Sequence, residues 1–393
     1  MLIAIDACCW SNRRGFGRYT REIVNALIAV NRERANHEIC LVVDQQTRSA
    51  WELPSGTAIE VASTSAQPTA AARAYGSRSI ADLWRLRRAA RRSGAQILYF
   101  PAVYSFYPPP GRIPSVVTLH DAIAEQHPEL IFPRLRSRWA WTLKTKWALA
   151  RSRTVLTVSE SARSQVSETF RIDPERIVVT GEGTSDQFRP IGEPDLLRQT
   201  RRQYGISETV PVVLYVGGLS PHKNLDGLIR ALARMRDAGV TEWVMVIVGD
   251  TERESFYTCY LDLVEQCGAA GLENKVIFTG FVPDEDLVQL YNTATLLVLP
   301  SFSEGFGLPV VEAMACGLPV AASNQGSLPE VAESAALYFD PHEIDSIAAT
   351  ITSLLSDPKI RGELAKQGLE QARHYSWRDA AGNVLAALEA AAT

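Results

Sequence analysis

The chain has 393 residues, of which 46% are apolar, and single hydrophobic cores stop growing below this length, so we expect two domains. The longest apolar runs, such as residues 243–248 and 295–299, are far shorter than the roughly 20 residues of a membrane-spanning helix. Because the N-terminal stretch also lacks a basic leader, we expect a cytoplasmic protein with neither a transmembrane helix nor a secretory signal.

The net charge of −4 hides opposite charges in the two halves of the chain. Residues 1–190 hold 26 Lys and Arg against 17 Asp and Glu, a net charge of +9, whereas residues 191–393 hold 14 against 27, a net charge of −13. We therefore expect an anionic partner for the first half. The six cysteines show neither C-x-x-C spacing nor the density of a disulfide framework, which predicts a reducing compartment and no structural zinc.

Short runs rich in Val, Ile and Leu alternate with longer helical patterns along the chain. This alternation is typical of parallel strands joined by crossover helices. The predicted strands of the first half cover residues 2–6, 39–43, 96–100, 115–119, 155–158 and 177–180. Those of the second half cover residues 212–216, 243–248, 276–279, 295–299, 319–322 and 335–338. The pattern therefore predicts an α/β unit of the Rossmann type in each half of the chain.

The segment FRPIGEP, residues 188–194, is the predicted connection between the two units. Its two prolines and one glycine resist both helix and sheet, so we place the boundary after Arg189. The predicted domains are residues 1–189 and residues 190–375. The last helical pattern, residues 376–391, follows the second unit, and we expect this C-terminal segment, 376–393, to pack back onto the first.

Ligands of open parallel sheets bind beyond the carboxyl ends of the strands, so the loops that follow the predicted strands are candidate sites. The first is RRGFGRYTREI, in which Gly15 and Gly17 lack the third glycine of a dinucleotide-binding motif. We expect a tight loop that faces a ligand; the alternative is a turn whose glycines merely fit the backbone, with Arg18 a surface cation. In TLHD, His120 follows a buried strand and is either a site residue or a structural histidine.

Residues 132–153 hold seven basic residues and no acidic one, interleaved with aromatic side chains. Basic residues and tryptophans at helical spacing are typical of a helix that lies on an anionic membrane. A second basic stretch, RLRRAARR at residues 85–92, belongs to the same half. The alternative is a solvated helix whose tryptophans pack inward. The candidate residues for contact with a membrane or with a second, membrane-bound substrate are Arg18, Arg134, Arg136, Arg138, Trp139 and Lys144.

The loop YVGGLSPHKN places Lys223 at the predicted start of a helix. A cation is unfavourable there unless an anion comes between it and the positive end of the helix dipole, so this position predicts phosphate binding. The alternative is an exposed lysine that extends over the helix surface.

The loop PSFSEGFGLPVVEAMACGLPV, residues 300–320, predicts a diphosphate site. Proline suits a first helical turn, so we expect a helix of about two turns from Pro309, whose free N–H groups favour an anion. Glu304 in the loop and Glu312 on the helix are separated by seven residues, and carboxylates accept hydrogen bonds from sugar hydroxyls. The alternative is a helix cap at Glu304 and a solvated Glu312.

Together, GFGRYTREI, TLHD, YVGGLSPHKN and EGFGLPVVEAMACGLPV closely resemble the family 4 glycosyltransferases, in order and over nearly the whole chain. The resemblance implies a GT-B fold, in which two Rossmann-like parallel-sheet domains face a central cleft. The first domain would bind the acceptor and the second the nucleotide sugar. It also implies transfer with retention of anomeric configuration, with neither an essential metal nor a cofactor.

The resemblance assigns roles to individual residues. Glu304, His120 and Lys223 would be catalytic, with Glu304 and His120 at the donor sugar and Lys223 at the diphosphate; Glu312 would hold the ribose. The residues expected to complete the donor site are Gly15, Gly17, Gly218, Gly305, Phe306, Gly307 and Leu308. Many members of the family carry arginine where this chain has Gly218, so Arg18 or His222 would replace that cation, or the enzyme does without it.

We therefore expect transfer of a hexose from GDP-mannose or a UDP-hexose to a saccharide acceptor in exopolysaccharide, capsule or O-antigen synthesis. The expected acceptor is lipid-linked, for example to polyprenyl diphosphate, and the enzyme would lie on the inner face of the membrane. The alternatives are a GT-B sugar epimerase, a nicotinamide-dependent oxidoreductase and a two-lobed sugar-binding protein. Nucleic acid is not an expected partner, because no recognition motif accompanies the arginines and the second half is acidic.

Overall fold

The computed structural model describes residues 1–12, 15–66, 79–132, 134–251 and 258–393. These residues form two compact units. The first comprises Met1–Gly183 with Ser376–Thr393, and the second comprises Thr184–Tyr375. Over the described residues, no helix is both long and apolar enough to cross a bilayer.

In the described part of the first unit, seven parallel strands form one sheet in the order β3-β2-β1-β4-β5-β6-β7. The strands are β1 Leu2–Asp6, β2 Glu38–Asp44, β3 Ala58–Ala62, β4 Ile97–Phe100, β5 Ser115–Thr118, β6 Thr154–Thr157 and β7 Ile177–Val179. The helices are α1 Gly15–Arg34, α2 Gln45–Ala50, α3 Ile80–Arg92, α4 Ile123–Gln126, α5 Pro128–Ile131, α6 Leu135–Arg151 and α7 Glu160–Phe170, with α16 Trp377–Ala392 from the end of the chain.

In the described part of the second unit, six parallel strands form a sheet in the order β10-β9-β8-β11-β12-β13. The strands are β8 Val212–Val216, β9 Val244–Val248, β10 Val276–Gly280, β11 Leu296–Leu299, β12 Val320–Ser323 and β13 Ala336–Phe339. The helices are α8 Pro194–Gln203, α9 Leu225–Asp237, α10 Tyr260–Ala269, α11 Asp284–Thr293, α12 Leu308–Ala315, α13 Leu328–Ala332, α14 Ile344–Ser356 and α15 Pro358–Ala372.

The predicted strands are confirmed, each within one residue at either end. Strands such as β8 and β11 are buried along their whole length, which is why they appear in the sequence as continuous apolar runs. Strand β3 was not predicted from the sequence; it lies at the edge of the first sheet with mostly half-buried side chains. Its central Glu60 pairs with Arg92 of α3, so β3 lacks the apolar run by which the other strands were found.

The boundary between the two units differs from the predicted one after Arg189. The chain passes from the first unit to the second between Gly183 and Thr184. The predicted linker belongs to the second unit, because Phe188 is buried with its ring edge-on to Tyr291 and the Ile191 N–H donates to the Asn292 side chain at 2.8 Å. Its prolines do interrupt regular structure, but the apolar anchor Phe188 keeps the segment packed.

Helix α16 belongs to the first unit and packs along α1. The Asn383 side chain donates to the carbonyl oxygen of Thr180 just after β7, at 3.3 Å. Near the N-terminus of the helix, the backbone of Gly183 lies so close to Trp377 and the preceding residue that a side chain at position 183 would collide with them.

Candidate functional site

Two of the predicted site loops meet at the carboxyl edge of the second sheet. Strands β8 and β11 are neighbours in that sheet, with Leu214 opposite Leu297, although 79 residues separate their sequence positions 216 and 296. They are also the strands at which the strand order reverses, where a crevice for ligands opens in α/β sheets. The loop after β8 reaches residue 224 and the loop after β11 reaches residue 307. The Phe302 N–H donates to the carbonyl oxygen of His222 at 3.0 Å and links the two loops.

Lys223 and Glu304 form an ion pair between these loops. The Lys223 Nζ donates to both carboxylate oxygens of Glu304 at 2.7 Å. The lysine side chain is 18% exposed and the glutamate side chain 11%, so water screens the pair only weakly. The structure therefore excludes the alternative of a freely exposed lysine.

The position of Lys223 differs from the predicted one. It is the last residue of a 3-10 turn, Pro221–Lys223, and α9 begins two residues later at Leu225. Between them, Asn224 adopts a left-handed conformation with φ 55°, and its side-chain amide donates to the carbonyl oxygens of Pro300 at 3.1 Å and Pro341 at 2.8 Å. Asn224 therefore anchors the turn that carries Lys223 to the ends of β11 and β13.

Glu304 is held by neighbours beyond Lys223. The Ser301 hydroxyl donates to its Oε1 at 2.6 Å. The Ser327 hydroxyl lies 3.1 Å from the Glu304 carbonyl oxygen and 2.8 Å from that of Phe306. Gly326 packs so closely that a Cβ there would lie 2.9 Å from the Glu304 nitrogen. These contacts fix both the backbone and the carboxylate of Glu304.

The end of the loop forms the N-terminus of α12. Gly307 is the N-cap residue with φ 103°, and the helix begins at Leu308, so Pro309 is its second residue and not the predicted first. Pro309 still suits this first turn, where backbone N–H groups lack partners within the helix. Phe306 is buried, with its ring edge-on to Tyr375. The loop backbone therefore leads directly into the helix N-terminus, an arrangement that favours an anion. The residues that form it are Gly305, Phe306, Gly307 and Leu308.

Glu312 is buried on the inner side of α12, which excludes the alternative of a solvated side chain. It is 2% exposed, and the Tyr291 hydroxyl donates to its Oε2 at 2.9 Å. Burial, together with the nearby charge of Glu312, raises the pKa of the Cys316 thiol to about 12. A carboxylate with this little solvent exposure requires hydrogen-bond donors, and Tyr291 supplies one of them.

Gly218 lies in the turn directly after β8. The Tyr215 hydroxyl donates to its carbonyl oxygen at 2.7 Å, which closes the turn onto the strand. His222, one suggested replacement for the missing arginine, lies in the same loop as Lys223. The other, Arg18, lies on α1 of the first unit.

In the first unit, Gly15 and Gly17 are not in a loop as predicted. Helix α1 begins at Gly15, so both glycines lie in its first turn, and residues 13 and 14 fall outside the described residues. A side chain at Gly17 would collide with the backbone of Asn12. The close approach that requires a glycine here is therefore to the protein's own chain.

His120 follows β5 and is held from three sides. Its Nε2 lies 3.1 Å from the carbonyl oxygen of Pro101, and its Nδ1 lies 3.4 Å from Oε1 of Glu182, a residue just after β7. The ring meets the ring of Tyr19 edge-on, with centroids 4.4 Å apart. Among the described residues, no group of three or more His, Cys, Asp and Glu side chains is arranged to hold a metal ion.

Comparison with known proteins identifies the family. The family described as Glycosyltransferase Family 4 matches residues 13–187, and the one described as Glycosyl transferases group 1 matches residues 198–371. The O-antigen chain mannosyltransferase B of Escherichia coli is 33% identical over 302 residues, which cover 76% of this chain and 77% of that protein. The chain is a family 4 glycosyltransferase.

Further relatives and solved structures are similar to this glycosyltransferase. The serotype-specific mannosyltransferase WbdA of Escherichia coli is 31% identical over 59% of this chain, a stretch that covers only 28% of that longer protein. The sucrose-phosphate synthase of Thermosynechococcus elongatus aligns with a TM-score of 0.76 at 20% identity, over 100% of both chains. Anabaena HepE, solved with UDP and glucose, aligns with a TM-score of 0.74 at 21% identity, over 99% of this chain and 100% of that one.

These likenesses confirm the expected GT-B fold of two Rossmann-like units. Family membership also decides between the functions that the sequence analysis left open. It favours a transferase over the epimerase, the nicotinamide-dependent oxidoreductase and the sugar-binding protein.

Helix α6 of the glycosyltransferase has an exposed apolar stripe. Leu135, Trp139 and Leu143, spaced four residues apart, are 73%, 74% and 72% exposed, and Trp147 continues the stripe at 43%. Side chains at this spacing share one face of a helix. Basic residues flank the stripe without an acidic one between positions 134 and 151, and the exposed ones are Arg134, Arg136, Arg138, Lys146 and Arg151.

The opposite face of α6 packs into the first unit. Trp141 is buried, and its Nε1 donates to Oε1 of Glu125 at 2.6 Å. Burial raises the pKa of Glu125 to about 7. Lys144 lies with its Nζ 4.1 Å from the centroid of the Trp141 ring, so it differs from the outward-facing basic residues with which it was grouped. Neither alternative for this helix holds for all of its tryptophans. Trp141 packs inward, as in a solvated helix, while Trp139 is exposed, as expected for a membrane-binding face.

Three residues that contact candidate site residues were not predicted from the sequence. Gly326 and Ser327 follow β12 in the stretch SNQGS, a turn-forming composition after a strand that could have directed attention to this loop. Glu182 lies in GEG after β7, where an acidic residue at a carboxyl edge was an equally available signal. Nothing in the sequence indicates that these residues contact Glu304 and His120, because strand neighbours are decided by the fold.

Proposed function

We propose that the enzyme transfers mannose from GDP-mannose to a saccharide acceptor in the synthesis of an O-antigen type of polysaccharide, with retention of anomeric configuration. The observation that carries this proposal is the Lys223–Glu304 ion pair beside the N-terminus of α12. The pair brings together, at the edge of one sheet, a cation suited to a phosphate, Lys223, and a carboxylate that can accept hydrogen bonds from sugar hydroxyls, Glu304. Relatives named as mannosyltransferases, at 33% and 31% identity, support mannose as the sugar.

In the proposed donor site, the diphosphate lies between Lys223 and the first turn of α12. Lysine and oriented backbone N–H groups stabilise the negative charge that develops on a departing diphosphate. Glu304 accepts hydrogen bonds from hydroxyls of the transferred sugar, and Glu312 accepts them from the ribose, each with a carboxylate already fixed by its neighbours. No metal ion or cofactor is required in this scheme.

The proposed reaction takes place on one face of the sugar. The bond between the anomeric carbon and the diphosphate oxygen breaks first, and its electron pair leaves with the nucleotide. The acceptor hydroxyl then attacks from the same side, and its proton passes to an oxygen of the departing phosphate. The anomeric configuration is retained without a covalent intermediate. An adduct trapped on any Asp or Glu of the chain would contradict this scheme.

The donor is tested by calorimetry and product analysis. We expect GDP to bind at least about tenfold more tightly than UDP, a difference of about 1.4 kcal/mol, and GDP-mannose to be consumed with release of GDP. Proton NMR of the product should show an α-linked mannose, the configuration of the donor. Addition of a chelator should leave the rate unchanged. Tighter binding of UDP, or an inverted product, would contradict the proposed donor or the proposed stereochemistry.

The first unit is proposed to bind an anionic membrane surface that presents a lipid-linked acceptor. Besides α6, helix α3 of the same unit also exposes two large apolar side chains at a spacing of four residues. These are Ile80 and Trp84, which are 74% and 60% exposed. Both helices contact the segment after β4, because Arg87 donates to Pro109 and Trp147 packs against Phe106. Exposed apolar side chains among basic ones fit lipid tails and anionic headgroups together.

The membrane proposal predicts that Leu143→Ser weakens binding to vesicles that contain anionic phosphatidylglycerol. Removing one inserted leucine should lower the partition coefficient by about tenfold, since burial of this side chain contributes about 1.5–3 kcal/mol. Leu261→Ser is the matched control, because Leu261 is 78% exposed but lies on α10 of the second unit. Cosedimentation at low salt measures both variants. Equal binding by the two variants, or no binding by the wild type, would contradict a membrane face on α6.

A further inference from the structure

His120 and Glu182 form a buried pair at the carboxyl edge of the first sheet. Strands β5 and β7 flank β6, and the two residues follow the ends of β5 and β7 respectively. The Nδ1 of His120 lies 3.4 Å from Oε1 of Glu182, and the side chains are 16% and 7% exposed. A carboxyl group with this little exposure is costly to place unless a partner satisfies it.

The partners of the ring determine where its protons lie. A backbone carbonyl oxygen only accepts hydrogen bonds, so Nε2, which faces the Pro101 oxygen at 3.1 Å, bears a hydrogen. Nδ1 faces an oxygen of the Glu182 carboxyl group. If neither atom carried a proton, a lone pair of the nitrogen would face a lone pair of the oxygen, which is unfavourable. A hydrogen bond between Nδ1 and Glu182 therefore requires a second proton, on the ring or on the carboxyl group.

A neutral aromatic residue also contacts the His120 ring. Tyr19 packs against it edge-on, and its hydroxyl lies 3.3 Å from the hydroxyl of Tyr99, which in turn lies 3.0 Å from that of Thr118. Burial raises the pKa of Tyr19 to about 12, so this hydroxyl stays protonated at neutral pH. Asp121 is the next residue in the chain, and its Oδ1 accepts from the Ile123 N–H at 3.0 Å.

We propose that Glu182 is a positioning residue for glycosyl transfer, which fixes the plane of the His120 ring and shares a proton with its Nδ1. This inference rests on the proposed glycosyl transfer and on the role at the donor sugar that the family resemblance implies for His120. Pro101 and Glu182 hold the two nitrogens from different strand ends, and Tyr19 blocks rotation of the ring. A ring held in this way presents one orientation to the substrate and needs no reorganisation during the reaction.

The experiment compares the full-length wild type with Glu182→Gln, which keeps the shape of the side chain but lacks the carboxyl proton acceptor. In protein labelled with ¹⁵N-histidine, the six histidines are few enough to resolve, and a His120→Asn variant assigns the signal of His120. We expect a protonated Nδ1 in the wild type and an unprotonated Nδ1 in Glu182→Gln. Turnover should fall by about 10–100-fold, the loss found for partners that orient metal-bound histidines, with an unchanged KM for the donor. Glu182→Asp should recover part of the turnover.

The control is Glu168→Gln, which changes an exposed glutamate on α7 of the same unit. It should leave both the His120 signal and turnover at wild-type values. An unchanged His120 signal in Glu182→Gln, or unchanged turnover, would overturn the inference. The histidine signal is recorded without substrate, so it tests the pair even if GDP-mannose proves not to be the donor. In that case turnover is measured with the nucleotide sugar that the wild type consumes.

Discussion

Glu304→Gln is expected to lower kcat by about 10²–10³-fold, the loss typical of removing one group that stabilises a transition state. Glutamine can keep the hydrogen bond from Ser301 and the shape of the side chain, but it lacks the negative charge that attracts sugar hydroxyls. If Glu304 acts on the sugar, GDP should bind at least as tightly as it does to the wild type, because GDP has no transferred hexose and the variant lacks the carboxylate that opposes Lys223. Steady-state kinetics and calorimetry on the same preparation measure the two effects.

The matched control for this variant is Glu343→Gln. Glu343 is exposed and precedes α14 in the same unit, and its side chain makes no capping hydrogen bond with that helix. It should leave both constants unchanged. Equal losses of turnover and GDP affinity in Glu304→Gln would contradict the assignment of Glu304 to the sugar and would move it to the nucleotide.

Lys223→Met is expected to weaken GDP binding by about 10–100-fold, since a hydrogen bond to a charged group contributes about 1.5–3 kcal/mol. It should also destabilise the second unit, because Glu304 would remain poorly solvated without its cation. Breaking one side of a buried ion pair costs on the order of 3 kcal/mol. Urea unfolding measures the stability, and calorimetry measures the affinity.

The double variant Lys223→Met with Glu304→Gln separates the two effects. Removing both charges eliminates the uncompensated carboxylate, so the double variant should be more stable than Lys223→Met alone, while its GDP affinity stays low. Lys366→Met, at an exposed position of α15, is the control for the change of residue type. A Lys223→Met variant as stable as the wild type would show that the ion pair is not maintained in solution.

The Lys223–Glu304 pair also bears on the missing arginine at Gly218. In the described structure, the charge of Lys223 is opposed by Glu304, so in the proposed donor site a diphosphate would compete with that carboxylate for the lysine. Sugar hydroxyls that donate to Glu304 would replace the bonds it accepts from Lys223 and leave the lysine to the phosphates. Sugar and diphosphate would then bind cooperatively, and GDP-mannose would gain more from Lys223 than GDP does.

Much of the fold was determined by the sequence itself. Buried parallel strands appear as continuous apolar runs, which is why β8 and β11 could be located within one residue. The candidate residues Lys223, Glu304 and Glu312 could be named because their loops follow such strands. The edge strand β3 could not be found in this way, since its half-buried residues leave no apolar run.

Only the tertiary structure decided which of these residues meet. The order β8-β11 joins two loops that are distant in sequence and pairs Lys223 with Glu304. The order β12 beside β11 brings Gly326 and Ser327 against the backbone of Glu304, and β5-β6-β7 brings Glu182 to His120. Strand order depends on how crossover helices pack over a whole sheet, which no local stretch encodes. The sequence by itself determined the chemical groups and the strand ends that bear them, whereas the packing of the sheets determined their partners and therefore their charges and protons.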